Sequence, residues 1–307
     1  MKMKNFFLPL LLAAMISVPA HLGAQITIGS GEAPQSFSVL ELISNQSGLR
    51  LPQMTRSERN IMTETDEFQA EKTGKAMGLM IFNTTTQCVE TWNGDRWVRS
   101  RNCPCGAYIA PGDWRQFACH NVGADTSLDP FTPHAGLHGD IFKWGTGIVA
   151  MTAQESLTLS TREEVDATGY TWVQRGGTPP TERYLEWDMA TANPCPPGFR
   201  VPTLTEWEGV AANNPVRRVG NWTANNNPLG QGGNFSSGIH FGDALFLPTV
   251  GTRWNLGMKS NRGSHARYWS SSSINTVSWV LRFSPGSYGV TNYYRGVGFP
   301  VRCISAE

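Results

Sequence analysis

Six cysteines, Cys88, Cys103, Cys105, Cys119, Cys195 and Cys303, stand in a chain whose N-terminus is built like an export leader. Lys2 and Lys4 precede an apolar run from Phe6 to Val18, and small residues follow, so cleavage is expected after Ala20 or Ala24. That run of 13 residues is shorter than the roughly 18–20 needed to cross a bilayer. No later stretch is long enough, so no transmembrane span is expected. No cysteine lies near the cleavage region, which argues against lipidation there. In an oxidising compartment an even cysteine count points to a disulfide framework. Order along the chain and hairpin logic favour Cys88–Cys103, Cys105–Cys119 and Cys195–Cys303. The rival is a metal site, but Cys103-Pro104-Cys105 is C-x-C, not the C-x2-C of a zinc knuckle, and no histidine pair stands beside it. A catalytic thiol requires one of the three pairs to fail.

The remaining composition fits a β-rich exported chain. With 307 residues, about two domains are expected. Gly 32, Pro 19 and Trp 11 indicate many turns and short strands, not long helices. The formal net charge of +1 becomes −1 once Lys2 and Lys4 leave with the leader. Such a balance excludes bulk electrostatic binding to nucleic acid.

Three units are expected: a leader at 1–24, a β-rich spacer or assembly module at 25–103, and a second domain at 104–307. In the first module, strands are expected at Ile26–Gly29, Val39–Leu42 and Gly48–Pro52. Thr55-x-x-Glu58 is a capping box that starts a short helix through about Met62. Thr63 to Lys75 is expected as an exposed loop and Gly78–Phe82 as a buried strand. Cys88–Trp92 and Arg96–Val98 form a hairpin around Asn93-Gly94. In the second domain, 146–193 reads as an insertion with a short helix near Arg162–Asp166. Thr203-x-x-Glu206 opens another helix. Asn213 to Gly233 is expected as a long loop and Leu245–Pro248 as a buried strand. Tyr268–Ser272 begins a further strand. Val277 to Phe283 alternates, with Val277, Trp279, Leu281 and Phe283 on one face. Val290–Tyr294 and Phe299–Ile304 are expected to close the sheet.

Two resemblances add to this reading. The pieces "ITIGSGEAPQSFSVLEL", "GLRLPQMTRSER" and "GLMIFNTTTQCVETWNGDRWV" resemble a module common at the start of exported Bacteroidetes proteins. That module implies a spacer in front of a surface domain, with trimerisation as a further expectation. From "WRQFACHNVGAD" and "IFKWG" through "CPPGFRVPTLTEW", "LFLPTVGTRW", "YWSSSS", "SWVLRF" and "GFPVRCI", residues 104–305 resemble the Fibrobacter succinogenes major paralogous (FISUMP) domain family. The resemblance implies an α+β, C-type-lectin-like fold with two short helices, small antiparallel sheets and disulfides. In broad plan that fold is similar to the formylglycine-generating enzymes. It also brings the domain's first and last strands together, which suits a Cys195–Cys303 bond. The C-terminal stretch "SSSINTVSWVLRFSPGSYGVTNYYRGVGFPVRC" has the layout of variable proteins of diversity-generating retroelements, in which scaffold and exposed positions alternate.

Candidate chemistry is sparse. Asp125, Asp129 and Asp140 are a possible calcium set, against which stands the plainer reading of solvated or capping aspartates. His120, His134 and His138 suggest zinc or base chemistry, but Pro133, Gly136 and Gly139 argue against a shared helix face, and His120 is expected to be a hydrogen-bonded scaffold residue. No H-E-x-x-H, G-x-S-x-G or phosphate loop is present. The cysteines do not match a formylglycine-generating pair, so no enzymatic activity and no cofactor are expected. Residues 225–307 carry Arg253, Lys259, Arg262, Arg267, Arg282, Arg295 and Arg302 against Asp243 and Glu307. Arg beside Tyr and Trp is the composition of binding hot spots. The expected ligand-binding residues are Tyr288, Asn292, Tyr293, Tyr294 and Arg295 in a Gly-bounded loop, flanked by Trp254 and Arg267. Arg253, Arg282 and Arg302 have a plainer reading, as scaffold stitches to backbone carbonyls. The leading expectation is a secreted or surface-displayed, adhesin-like protein that binds a glycan or a host or surface protein. A structural subunit of a surface fibre, forming homo-oligomers, is the alternative.

Overall fold

A computed structural model describes residues 26–29, 38, 40–86, 88–100, 103–183 and 185–307. The expected leader lies outside the described residues. The chain divides into two units, one ending at Leu51 and one running from Pro52 to Glu307. Among the described residues no helix is long and apolar enough to cross a membrane.

In the first unit, strands Ile26–Ile28 and Leu40–Leu42 pair in parallel, with Ile26 opposite Leu40 and Ile28 opposite Leu42. Side chains two apart on a strand share a face, so these four form one apolar patch. All four are exposed. A strand expected at Gly48–Pro52 is instead the short Gln53–Met54 strand of the second unit.

The second unit is a mixed α/β, β-rich structure of small sheets, short helices and three disulfides. The bonds are Cys88–Cys103, Cys105–Cys119 and Cys195–Cys303, the pairs expected from chain order, and no described cysteine is free. Gln53–Met54, Met80–Asn83, Cys88–Trp92 and Trp97–Arg99 make a four-stranded sheet. Its helix Arg56–Glu64 opens on the expected capping box, Thr55 accepting from the Glu58 amide and Glu58 from the Thr55 amide. The expected loop at 63–75 contains a second helix, Asp66–Glu71, capped by Thr65. Its reason is Phe68, which is buried with its ring edge-on to Trp92 at 5.0 Å.

A second four-stranded sheet runs in the order Phe199–Arg200, Ile304–Ser305, Asp113–Phe117, Cys105–Ala110. It joins the end of the chain to residue 117, with Ile304 opposite Phe117. Two three-stranded antiparallel sheets follow. One is Val216–Val219, Gly238–Phe241 and Leu245–Pro248; the other is Ala266–Ile274, Val277–Phe283 and Tyr288–Tyr294. The first of these contradicts the loop expected from 213 to 233, since Val216–Val219 finds a full register against Gly238–Phe241. The helix Leu204–Asn213, capped by Thr203 and Glu206, packs on the second.

Alternation in Val277–Phe283 divides the interior. Leu281 and Phe283 enter one core with Trp207, Tyr268, Phe117 and Phe241. Val280 points the other way, into a second core with Trp144, Trp269, Phe299 and Val301. The 146–193 region is not peripheral. Ala150, Met151, Val165 and Trp172 belong to the first core and Trp187 to the second. It also holds an unexpected helix, Ala153–Thr158, opened by a Thr152–Glu155 capping box, beside the expected Arg162–Asp166.

Four buried cations stand without carboxylate partners. Arg253, Lys259, Arg262 and Arg302 are buried, and among the described residues none forms an ion pair. Arg253 and Arg262 both donate to the Ser156 carbonyl, at 3.0 and 2.7 Å, and Arg253 also reaches the Leu159 and Gly257 carbonyls. Lys259 donates to Ser156 Oγ and the Val250 carbonyl, each at 3.1 Å. The Ser156 and Leu159 carbonyls lie at the C-terminal end of the Ala153–Thr158 helix, where positive charge is favoured. Burial opposes ionisation of Lys259 first, with the neighbouring Arg253 and Arg262 charges acting in the same direction.

Two predictions follow from this interior. Replacing Cys195 and Cys303 by Ala removes a bond spanning 108 residues and is expected to cost about 4–5 kcal/mol in the loop-entropy treatment, read as a fall in urea midpoint. His138 and His240 are buried, and burial foremost pushes His138 well below 6.5 and His240 down to about 3. The unfolded chain therefore takes up protons first as pH falls below 6.5. Stability is full above 6.5 and declines toward pH 3; at pH 5 the His240 contribution alone amounts to about 2 kcal/mol. Urea melts at pH 7.5 and 5.0 on wild type and His240→Asn check this, the variant showing the shallower loss.

Candidate functional site

Four of the seven expected binding residues, Tyr288, Asn292, Tyr293 and Tyr294, lie on one strand, which begins two residues before the strand expected at Val290–Tyr294. Tyr288–Tyr294 is the edge strand of the last sheet and runs antiparallel to Val277–Phe283. Its partner enters from a two-residue turn at Asn275–Thr276, where Asn275 adopts a φ of 52°. Asn tolerates this left-handed conformation better than most side chains.

Strand alternation then splits the set. Tyr288, Asn292 and Tyr294 lie opposite Phe283, Trp279 and Val277 and share one face. All three are exposed, Tyr294 at 71%. Tyr288 has the Arg218 guanidinium 5.7 Å above its ring and meets Phe241 edge-on at 5.9 Å. Half-buried Trp279 completes this face.

Tyr293 lies opposite Ser278 and faces the second core. It is half-buried against Trp254 at 5.9 Å and Phe299 at 5.3 Å. Arg267 sits 4.7 Å over its ring and donates to Thr252 Oγ1. Burial, the leading cause, lowers the affinity of that guanidinium for its proton. A cation over an aromatic ring contributes about 0.5–2 kcal/mol. Trp254, Arg267 and Tyr293 thus form a packed stack along the sheet.

Arg295 is a correction to the expected site. It is buried, at 4% exposure. Its guanidinium donates to Ser278 Oγ, to the carbonyls of Pro180 and Glu182, and to the carbonyl of Asn275, at 2.8–3.1 Å. It also lies 4.4 Å over the Trp144 ring. It fastens the 275–276 turn to the 180–182 segment and has no free donor face for a ligand. Arg253 and Arg302 are likewise interior, Arg302 donating to Asn121 Oδ1. Of the seven cations in 225–307, only Arg267 and Arg282 lie outside the buried class, and Arg282 is half-buried beside Ser287. The positive balance of this region is therefore mostly interior charge.

The other candidate groups hold turns together. Asp125 accepts from Ser127 and Asp129 from Phe131 and Thr132, while Asp140 accepts from the Ala153 amide. His120 Nε2 meets the Leu128 carbonyl and His134 Nδ1 accepts from the Gly136 amide. His138 is buried with neither ring nitrogen hydrogen-bonded, its ring 5.2 Å from Phe235. Among the described residues no three His, Cys, Asp or Glu side chains gather as a metal site.

Sequence reasoning missed a cavity of about 570 Å³, lined by Trp97, Arg217 and His240 among others. None of the seven expected binding residues lines it. The stretch Val216-Arg217-Arg218-Val219 does not alternate, so the sequence carried no signal that would place Arg217 on the cavity face.

A family model described as a phage tail like trimerisation region matches residues 27–114. The match spans the parallel ribbon, the first four-stranded sheet with its helices, and the start of the next sheet. No curated protein and no solved structure matches the chain.

The division into faces predicts unequal costs. Arg295→Ala is expected to destabilise by about 2–4 kcal/mol, because four acceptors lose a charged donor in the interior. Tyr294→Ala is expected to change stability by no more than about 0.5 kcal/mol. Urea titrations followed by tryptophan fluorescence measure both.

Proposed function

We propose that this protein is a subunit of an extracellular homo-oligomeric assembly, with the N-terminal region as the contact between copies. The carrying observation is the ribbon of Ile26, Ile28, Leu40 and Leu42, whose four apolar side chains share a face and are 46–55% exposed. A two-stranded sheet is marginal by itself, and exposed contiguous apolar surface marks interaction sites. Its place within a segment similar to a phage tail like trimerisation region supports three copies. Three disulfides favour maturation in an oxidising, exported setting, such as the cell surface or outer membrane.

On this reading, residues 104–307 are the displayed part, a C-type-lectin-like module of the FISUMP kind without catalytic function. Sheet pairing between residues 117 and 304 and the Cys195–Cys303 bond support that closure. An adhesin role is the second reading, favoured by the exposed face of Tyr288, Asn292 and Tyr294. Tyr supplies rigid, amphipathic contact area at low entropic cost. The ligand there would be a glycan or a host or surface protein.

Light scattering on the mature chain tests the primary reading. A mass three times that of the monomer is expected across concentrations. The Ile28→Asp, Leu42→Asp double variant is expected to be monomeric, with its melting transition unchanged. A monomeric wild type removes the proposal. Glycan arrays and cell-binding assays on the Tyr288→Ala, Tyr294→Ala variant test the adhesin reading, loss of binding being the supporting result.

A further inference from the structure

The 570 Å³ cavity lies wholly within Pro52–Glu307 and is independent of the oligomer reading. Its floor is the outer face of the sheet formed by Val216–Val219, Gly238–Phe241 and Leu245–Pro248. Val216, Ile239 and Phe241 point into the core from that sheet, so Arg217 and His240, which lie directly opposite each other, point out of it. The Cys88–Trp92 and Trp97–Arg99 hairpin supplies the facing wall, and residues 129–133 line a further side.

Most charges around this space already have partners. Arg59 pairs with Glu90 at 2.6 Å and reaches Asp243 at 3.5 Å, and Asn83 donates to Glu90. Arg99 donates to the carbonyls of Pro104 and Asp243 and lies over the Phe131 ring. Four groups stay unengaged, the exposed Asp95 carboxylate among them. Arg96 and Arg217 are exposed, and among the described residues neither guanidinium has a hydrogen-bond or ion-pair partner. His240 is only 4% exposed, lines the cavity, and its imidazole makes no hydrogen bond, its ring lying 4.9 Å from Phe246.

The His240 ring nitrogens are not among the fully buried unpartnered atoms, so they open onto the cavity, where a ligand can reach them. Burial first, and then the Arg217 and Arg96 charges, keep His240 neutral, with one donor and one acceptor. The carboxylates of Glu90, Asp95, Asp129 and Asp243 line other parts of the same cavity. The two free guanidiniums and the imidazole therefore form a cationic corner suited to a carboxylate. Half-buried Trp97, its indole N–H fixed on Thr63 Oγ1 at 2.9 Å, adds an aromatic surface beside it. The volume suits a small organic molecule and greatly exceeds what an inorganic anion fills.

We propose that this cavity binds a carboxylate-bearing sugar, its carboxylate held by Arg96, Arg217 and His240 and a ring face resting on Trp97. Neutral sugars bring no charge to the two guanidiniums, and inorganic anions have no ring face to rest on Trp97.

Calorimetric titration of the full mature chain with glucuronate, N-acetylneuraminate, glucose and inorganic phosphate tests this. Both acidic sugars are expected to bind, with glucose and phosphate at least about tenfold weaker. Arg96→Gln and Arg217→Gln lie at exposed positions; each is expected to weaken acidic-sugar binding about tenfold with an unchanged melting temperature. Tyr294→Ala is expected to bind as wild type does. No acidic-sugar binding by the wild type, equal binding of glucose, or equal binding of phosphate would each overturn the proposal. Light scattering on the same samples separates it from the oligomer reading. An arginine variant that changes mass instead of affinity would make the cavity a contact between copies and overturn it as well.

Discussion

One backbone carbonyl, that of Ser156, gathers two buried guanidiniums, and Lys259 bonds the hydroxyl of the same residue. A buried cation ordinarily requires a counter-charge. Here the acceptors are carbonyls at the end of a short helix and on neighbouring turns, supplied by Ser156, Leu159, Asn227, Val250 and Gly257. Those carbonyls would otherwise face the interior unsatisfied. The cations complete the hydrogen bonding of irregular backbone that no sheet or helix can complete. This ties residues 153–160 to residues 253–262.

The same economy decides what the surface can do. Five of the seven basic residues after position 225 are buried, so the C-terminal face is aromatic and polar instead of cationic. The last sheet sorts its tyrosines by parity. Tyr293 belongs to the scaffold, held by Arg267, while Tyr288 and Tyr294 are presented outward with Asn292. Free cations appear elsewhere, at Arg96 and Arg217, beside a cavity. The ribbon of Ile26, Ile28, Leu40 and Leu42 has a different character again, with four exposed apolar side chains. The described residues thus carry three surfaces with three chemistries.

Local rules were readable in the sequence. The capping boxes at Thr55 and Thr203, the alternation of Val277–Phe283 and the order of the six cysteines all depend on residues close in the chain or on simple nesting. Thr152-x-x-Glu155 obeys the same rule and starts a helix, but a six-residue helix carries too few apolar positions to show its period. The 146–193 segment looked like an insertion because its polar stretches separate single tryptophans. Trp172 is buried because its indole finds the Gly296 carbonyl, 124 residues away. Arg295 looked like a hot-spot residue beside two tyrosines, yet its acceptors at 180 and 182 are more than 100 residues earlier. Within the candidate site, parity alone separated Tyr293 from its neighbours, and that was legible once the segment was taken as a strand. Burial of individual arginines was not, because it depends on which distant carbonyls need donors.

The central claim is that buried cations without carboxylates anchor the middle of the second unit. Hydrogen exchange by mass spectrometry on Arg262→Met measures this most directly, since the substitution keeps apolar volume and removes the donors. The expected result is faster exchange across residues 150–175, with the amides of Val277–Phe283 still protected. Unchanged protection of 150–175, or a uniform loss across both regions, would contradict it.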